Sequence, residues 1–147
     1  MEAEERHRHD VHRRYEGDGF VVHWEPPLCI HTGNCFRRLP RAFDPRRRPW
    51  IVTDGISLEE ATDAVRRCPT GALRLERTDG LAAVPPQEPA AVITVPDGPL
   101  YVIGELEVVD VEGKTVRRAS RLALCRCGAS NNKPYCDNTH LRLGFRA

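Results

Sequence analysis

The sequence has 147 residues, of which 40% are hydrophobic and 29% are charged, and its formal net charge is +1. This composition is typical of one ordinary globular domain or two small ones, and the balanced charge excludes a generic nucleic-acid binder, which carries a clear basic excess. No apolar run approaches the ~20 residues that span a membrane, and the charged N-terminus lacks the apolar core of a secretory signal. We therefore expect a cytoplasmic protein that binds neither nucleic acid nor a membrane.

The first half of the chain predicts short strands around a cysteine-containing loop. Residues 1–14 mix acidic, basic and His side chains without periodicity, which indicates a flexible tail. The β-branched and aromatic run 20–24 predicts a strand, and a short helical turn should follow the first two cysteines. Residues 49–53 predict a second strand and residues 71–75 a return strand, so this half has a small α+β plan.

A second, longer helix is predicted in this half. Ser57 and Glu60 form a capping-box pattern at its start. Apolar residues then recur at helical spacing up to Cys68, which this pattern places on the buried face, and Pro69 ends the helix.

The second half predicts a β-rich domain. It follows a stretch with three prolines, and its alternating apolar segments are separated by turn signals at 96–98 and 112–113. We expect an α+β protein with a tail at 1–14, a small α+β domain at 15–78, a Pro-rich linker at 79–90 and a β-rich domain at 91–147.

Six cysteines fall into two groups of three, one in each half. Close cysteine spacing without an export signal favours metal ligation over disulfides. Domains of about 60 residues bury little apolar surface, and a metal compensates for that. The cysteines are Cys29, Cys35 and Cys68 in the first half and Cys125, Cys127 and Cys136 in the second.

The last three cysteines form a constellation with His140. The C-x-C spacing lets Cys125 and Cys127 face one iron from an extended segment, and Cys136 and His140 would share a face of a helical turn and hold another. Asp137 stands where an N-cap would accept the first free amides of that turn. A Cys3His set also binds zinc, so a structural zinc module is the alternative.

The segment 125–140 resembles the CDGSH motif of the NEET iron–sulfur family, C-x-C-x2-Ser/Thr-x3-Pro-x-C-Asp-Gly-Ser/Ala/Thr-His. It departs from that motif at Asn138, which replaces Gly, although Asn tolerates left-handed backbone angles well. The resemblance implies that Cys125, Cys127, Cys136 and His140 ligate a redox-active [2Fe-2S] cluster in a β-rich domain, and it leaves a homodimer open. A His ligand raises the potential of a cluster and makes its retention sensitive to pH.

The first three cysteines form a second candidate centre. Their order matches a ferredoxin pattern in which Thr32 replaces the second cysteine and a remote Cys-Pro supplies the last thiolate. Three thiolates favour a [3Fe-4S] cluster, whereas a [4Fe-4S] cluster needs a further ligand, for which His31 is a candidate; three structural thiols are the plain alternative. The stretches CIHTGNC, AFDPRRRPWI and CPTGAL resemble the divergent single-cluster [4Fe-4S] ferredoxin-like domain, which implies that Cys29, Cys35 and Cys68 ligate this cluster.

An arginine-rich stretch follows the first cysteine loop and is a candidate surface for docking an acidic redox partner. The fold and the two clusters together predict one-electron transfer with a reductase, a ferredoxin or an oxidoreductase, and catalysis by the chain itself is not expected. The alternatives are transfer of the His-ligated cluster to an apo iron–sulfur acceptor, or redox and pH sensing. The candidate docking residues are Arg37, Arg38, Arg46, Arg47 and Arg48.

Overall fold

The computed structural model describes residues 11–83 and 88–147. It divides into two compact units, one formed by the described residues up to Cys68 together with 72–83, and the other by 69–71 with 88–147. The two units contain three α-helices and two antiparallel three-stranded sheets, which confirms the expected α+β class. Residues 1–10 of the expected tail and 84–87 of the expected linker lie outside the described residues. Within the described ranges, every helix is too short or too polar to cross a membrane.

The first unit is built on a sheet in the order β1-β2-β3. The strands are β1 (Arg13–Glu16), β2 (Phe20–Trp24) and β3 (Leu73–Arg77), and β2 is the central one. β1 therefore begins inside the segment expected to be a tail. Its residues are mostly exposed because it is an edge strand, and this is why no apolar alternation marks it in the sequence.

Two helices accompany this sheet. They are α1 (Asn34–Arg38) and α2 (Leu58–Val65), and α2 buries Ala61, Ala64 and Val65 at the predicted helical spacing. Phe20 and Val22 from β2 pack in the same core of ten buried residues. The core therefore lies between the sheet and α2, and it closes without the cysteines.

Two sequence predictions in this unit are wrong in detail. Residues 49–53 do not form a strand, since only Ile51 makes a bridge, to Phe43. The α2 helix ends at Val65, so Cys68 lies beyond it, although this residue still packs against the core. In both cases the apolar pattern reflects burial in the core rather than regular backbone pairing.

The second unit is a meander in the order β4-β5-β6. A short edge strand, β4 (Ala91–Thr94), precedes the long hairpin of β5 (Leu100–Val109) and β6 (Thr115–Leu124). A single turn of helix, α3 (Thr139–Leu143), follows the last cysteine. The predicted hairpin and its two turns are confirmed.

Ser57 provides a test of the predicted capping box. Its hydroxyl accepts a hydrogen bond from the Glu60 amide, and the Glu60 carboxylate accepts one from the Ser57 amide. We expect Ser57→Ala to lower the free energy of unfolding of the first unit by about 1 kcal/mol, and Ser57→Gly to lower it by only a few tenths of that amount. Both tryptophans lie in this unit, so urea unfolding followed by tryptophan fluorescence measures it. Equal losses for Ala and Gly would contradict the capping role.

Candidate iron–sulfur centres

The C-terminal candidate residues Cys125, Cys127, Cys136 and His140 line one small concave space. The cysteines come together because the chain after β6 turns back on itself. The Cys125 amide donates to the Pro134 carbonyl at 2.8 Å, and the Cys136 amide donates to the Ala123 carbonyl at 2.9 Å. These two bonds place both ends of the cysteine loop side by side at the end of β6.

The four side chains form two close pairs. Cys125 Sγ and Cys127 Sγ are 3.9 Å apart, and Cys136 Sγ and His140 Nδ1 are 3.5 Å apart. A tetrahedral metal holds sulfur at about 2.3 Å and imidazole nitrogen at about 2.0–2.1 Å, so two ligands of one metal lie roughly 3.5–3.8 Å apart. Each pair therefore suits one metal ion.

The two pairs do not merge into a single mononuclear site. Among the residues that the structure describes, no three His, Cys, Asp or Glu side chains gather closely enough to hold one ion. A structural zinc site needs four ligands around a single metal, whereas a [2Fe-2S] cluster needs two on each of two irons. This donor arrangement fits a two-iron cluster better than zinc.

Two backbone amides point at sulfur in this site. The Ala129 amide donates to Cys127 Sγ and the Asn138 amide donates to Cys136 Sγ, both at 3.4 Å. Gly128 and Asn138 have positive φ angles of 82° and 70°, as expected of Gly at the first position and of Asn at the second. The left-handed backbone at these two positions turns donors toward sulfurs that are negative when they bind iron.

The environment acts differently on two of the cysteines. Burial alone would raise the pKa of Cys125, but the amides of Ser130, Gly128 and Ala129 together with the Cys127 thiol outweigh it, and the pKa is lowered. Burial raises the pKa of Cys136, and the charge of Asp137 adds to this effect. Cys125 is therefore the easier of the two thiols to deprotonate before metal binds.

Asp137 stabilises the turn between Cys136 and His140. Its carboxylate accepts hydrogen bonds from the Thr139 amide at 3.0 Å and the Asn131 amide at 2.9 Å. The N-cap position belongs to Asn138, so Asp137 does the expected capping from one residue earlier. Cys136 and His140 do not share a helix, because α3 begins only at Thr139. The left-handed turn at Asn138 brings the Cys136 sulfur and the His140 ring together instead.

Burial raises the pKa of Asp137, but the hydrogen bond from the Thr139 hydroxyl and those from the Asn131 and Thr139 amides together outweigh burial, so the pKa is lowered overall from 3.8. A carboxyl group whose pKa is lower in the folded state stabilises that state fully above its unfolded value. The contribution of Asp137 is therefore complete above about pH 3.8 and is lost as the pH falls through the folded-state pKa.

Arg126, between the first two cysteines of this site, ties the loop to the neighbouring turn, and the sequence reasoning gave it no role. Its guanidinium donates to the carbonyls of Gly98 at 2.9 Å and Val95 at 2.8 Å. It also lies 5.4 Å from the centre of the Phe145 ring. The one signal for Arg126 in the sequence is its position between the two cysteines of the C-x-C segment.

Of the three N-terminal cysteines, Cys35 and Cys68 pack against the first core. Cys29 follows a short 3-10 turn, Cys35 is in the first turn of α1, and Cys68 follows α2. Burial raises the pKa of Cys35 to about 11, and charges on Cys68 and Cys29 act in the same direction. This mutual effect means that the three thiols share one electrostatic environment, which bound iron would reverse by favouring thiolates.

His31 lies beside Cys29, with its Nδ1 3.7 Å from Cys29 Sγ. Its role as a fourth ligand of a [4Fe-4S] cluster stays a prediction. The backbone of Thr32, at the position of the missing cysteine, accepts a hydrogen bond from Arg37 at 2.8 Å.

All five candidate docking arginines form ion pairs or hydrogen bonds within the first unit. Arg38 pairs with Asp63, and Arg46 pairs with Asp44 at 3.0 Å. Arg37, Arg47 and Arg48 donate to backbone carbonyls of neighbouring loops. Their charges are thus partly neutralised or used to brace loops, and docking of an acidic partner stays a prediction.

Asp137→Ala should weaken metal retention in the C-terminal unit. Groups that orient ligands without binding metal typically contribute a factor of about ten or more to affinity, so we expect chelator to remove metal about tenfold faster. Asp110→Ala is the matched control, because Asp110 accepts the Glu112 and Lys114 amides in the β5–β6 turn away from the site. Both variants are measured in a Cys35→Ser background, which disables the other centre. Equal rates for the two variants would contradict the orienting role.

Comparisons with known proteins identify both units. The family described as "Divergent 4Fe-4S mono-cluster" matches residues 15–78, and "Iron-binding zinc finger CDGSH type" matches residues 97–141. Two curated relatives, each named "Uncharacterized protein YjdI", come from Escherichia coli strain K12 and Escherichia coli O157:H7. Each is 33% identical over 63 residues, which is 43% of this chain and 83% of the relative. The chain therefore belongs to the divergent 4Fe-4S mono-cluster family, carries a CDGSH-type domain after it, and is an iron–sulfur protein.

Proposed function

We propose that this protein holds two iron–sulfur clusters and passes single electrons between redox partners of the cytoplasm. In this proposal Cys125 and Cys127 bind one iron of a [2Fe-2S] cluster, and Cys136 with His140 bind the other. The observation that carries it is the pairing of these side chains at 3.9 Å and 3.5 Å around one concave space. Bound there, the cluster would supply reversible uptake of one electron.

The second cluster of the proposal is bound by Cys29, Cys35 and Cys68. Three thiols in one electrostatic environment support this assignment, and the description of the matching family supports four irons. None of the six cysteines forms a disulfide, which suits a reducing compartment. A centre with thiolate ligands alone should have a lower potential than the His-ligated one, so electrons would run from the N-terminal to the C-terminal cluster.

Electron transfer explains the C-terminal site better than catalysis on an organic substrate. The space between the proposed ligands has almost no room for a water molecule, whereas pockets for organic ligands measure roughly 300–1,000 Å³, and the proposed ligands themselves form its walls. Buried His140 is followed by Leu141, whose side chain is 69% exposed. A partner that covers this exposed apolar residue would lie next to a cluster ligand.

The function is tested by shuttling electrons between defined proteins. Protein purified without oxygen is mixed with NADPH, a ferredoxin reductase and oxidised cytochrome c. For each electron that leaves the reductase, we expect one cytochrome haem to be reduced. The iron content of the protein should be unchanged after many turnovers. Variants Cys35→Ser and Cys127→Ser each remove one proposed centre and show which of them the electron uses.

Two results would overturn this function. One is a cytochrome reduction rate equal to that of the reductase alone. The other is net loss of iron and sulfide to an added apo-ferredoxin on the same timescale, which would establish a cluster carrier instead.

His140→Cys tests the proposed ligand directly. Thiolate is negative where imidazole is neutral, so the substitution should lower the reduction potential of the [2Fe-2S] cluster. The measurement is a redox titration followed by EPR, with Leu141→Cys as a control that adds a thiol beside the site without replacing a ligand. An unchanged potential in His140→Cys, with the cluster retained, would exclude His140 as a ligand.

A further inference from the structure

The turn between β4 and β5, residues 95–99, covers part of the space between the C-terminal ligand candidates. Gly98 and Pro99 of this β4–β5 turn line that space together with Cys125 and Cys127. Both turn residues are buried, although turns ordinarily run over the surface of a protein. The β4–β5 turn is therefore held down against the two cysteines that would bind one iron.

Arg126 connects the cysteine segment to this turn. Its guanidinium donates hydrogen bonds to the Gly98 carbonyl at 2.9 Å and to the Val95 carbonyl at 2.8 Å. It also donates to the Ala147 carbonyl at 3.1 Å. Several fixed acceptors suit the planar fork of a guanidinium, which the ammonium group of a lysine does not reproduce. Because Arg126 stands between the two cysteines, these bonds tie the backbone of the ligand segment to the turn.

Residues 145–147 attach the same turn a second time. The Asp97 carboxylate accepts a hydrogen bond from the Ala147 amide, and the Asp97 amide donates one to the Ala147 carbonyl, both at 3.0 Å. Arg146 Nη1 lies 3.5 Å from the Asp97 carboxylate, and the Arg126 guanidinium lies 5.4 Å from the centre of the Phe145 ring. Arg126 contacts both the turn and this segment, so its loss should loosen both attachments.

We propose that Arg126 is a positioning residue that holds the β4–β5 turn over the C-terminal cluster and thereby limits the rate at which this cluster is lost. The inference rests on the proposed function, which places iron on Cys125 and Cys127. Because the turn lines the space beside these cysteines, its displacement would open their iron to water and to chelators. A cluster retained under the turn can take up and release electrons repeatedly without being handed to another protein.

The test compares Arg126→Met with Arg118→Met in the full-length protein, each in the Cys35→Ser background. Arg118 is the matched control because it pairs with Glu107 across the β5–β6 hairpin, at 3.6 Å, and its side chain is 77% exposed. Groups that orient a metal site typically contribute a factor of about ten or more. We therefore expect Arg126→Met to lose the cluster to a chelator about tenfold faster, measured by its visible absorbance, and Arg118→Met to match the parent protein.

Arg126→Lys separates the shape of the side chain from its charge. Lysine keeps the positive charge and loses the fork, so this variant should also lose the cluster faster than the parent protein. A loss rate in Arg126→Lys equal to that of the parent would show that charge alone is needed, and it would overturn the positioning role. Equal loss rates for Arg126→Met and Arg118→Met would overturn it as well.

Hydrogen exchange of the iron-loaded protein distinguishes a loosened turn from an unfolded unit. The Asp97 and Gly98 amides, which bond within the turn and to Ala147, should exchange faster in Arg126→Met, while those of the β5–β6 hairpin should not change. Equal acceleration in both regions would overturn the proposal.

Asp97→Ala decides the question if Arg126→Met assembles no C-terminal cluster, since it frees the turn from residues 145–147 without touching Arg126. It should speed both cluster loss and exchange in the turn, and an unchanged rate of loss would overturn the proposal. If protein with an unaltered C-terminal unit binds no cluster there, even after reconstitution with iron and sulfide, the function on which the inference rests is overturned instead.

Discussion

The C-terminal unit has almost no hydrophobic core apart from its metal site. Leu122 and Ala123 are its buried aliphatic side chains, and they immediately precede the cysteine loop. The other buried side chains of the described residues in this unit are ligand candidates or their neighbours, such as Tyr135, Thr139 and His140. So little apolar burial does not offset the entropy of ordering a long hairpin and a turn. Iron bound at the candidate site would therefore contribute folding free energy to this unit as well as redox chemistry.

The N-terminal unit is organised in the opposite way. Its ten-residue core lies between a sheet and a capped helix, and Cys35 and Cys68 pack at the margin of this core. The fold can thus position these two cysteines before iron arrives. The difference matters for function, because a centre at the edge of an existing core is held rigidly, whereas a centre that forms the core is coupled to unfolding. Loss of the C-terminal cluster should consequently unfold its own unit, while loss of the N-terminal one should leave the fold largely in place.

The sequence was most informative where the chemistry is local. The capping box, the β5–β6 hairpin and the left-handed Asn138 depend on neighbouring residues, and all three are as predicted. Residues 49–53 do not form the expected strand because their pairing is limited to one bridge between Ile51 and Phe43, although apolar side chains of the segment are buried by tertiary packing. The start of β1 was missed because an exposed edge strand carries no alternation, and its pairing to β2 is decided by residues elsewhere in the chain.

The candidate sites could be predicted only in part, because their geometry also depends on contacts between residues that are distant in the sequence. The ligand candidates follow from spacing, but the division of the C-terminal four into two pairs depends on the bonds from Cys125 to Pro134 and from Cys136 to Ala123. Arg126 acts through carbonyl partners that are distant in sequence, and no motif marks it.

The most direct test of this account is the measurement of iron, acid-labile sulfide and zinc per chain in protein purified without oxygen. The account predicts about five or six irons, depending on whether the N-terminal cluster holds three or four, with matching sulfide and no stoichiometric zinc. Stoichiometric zinc without sulfide, even after reconstitution with iron and sulfide, would contradict it.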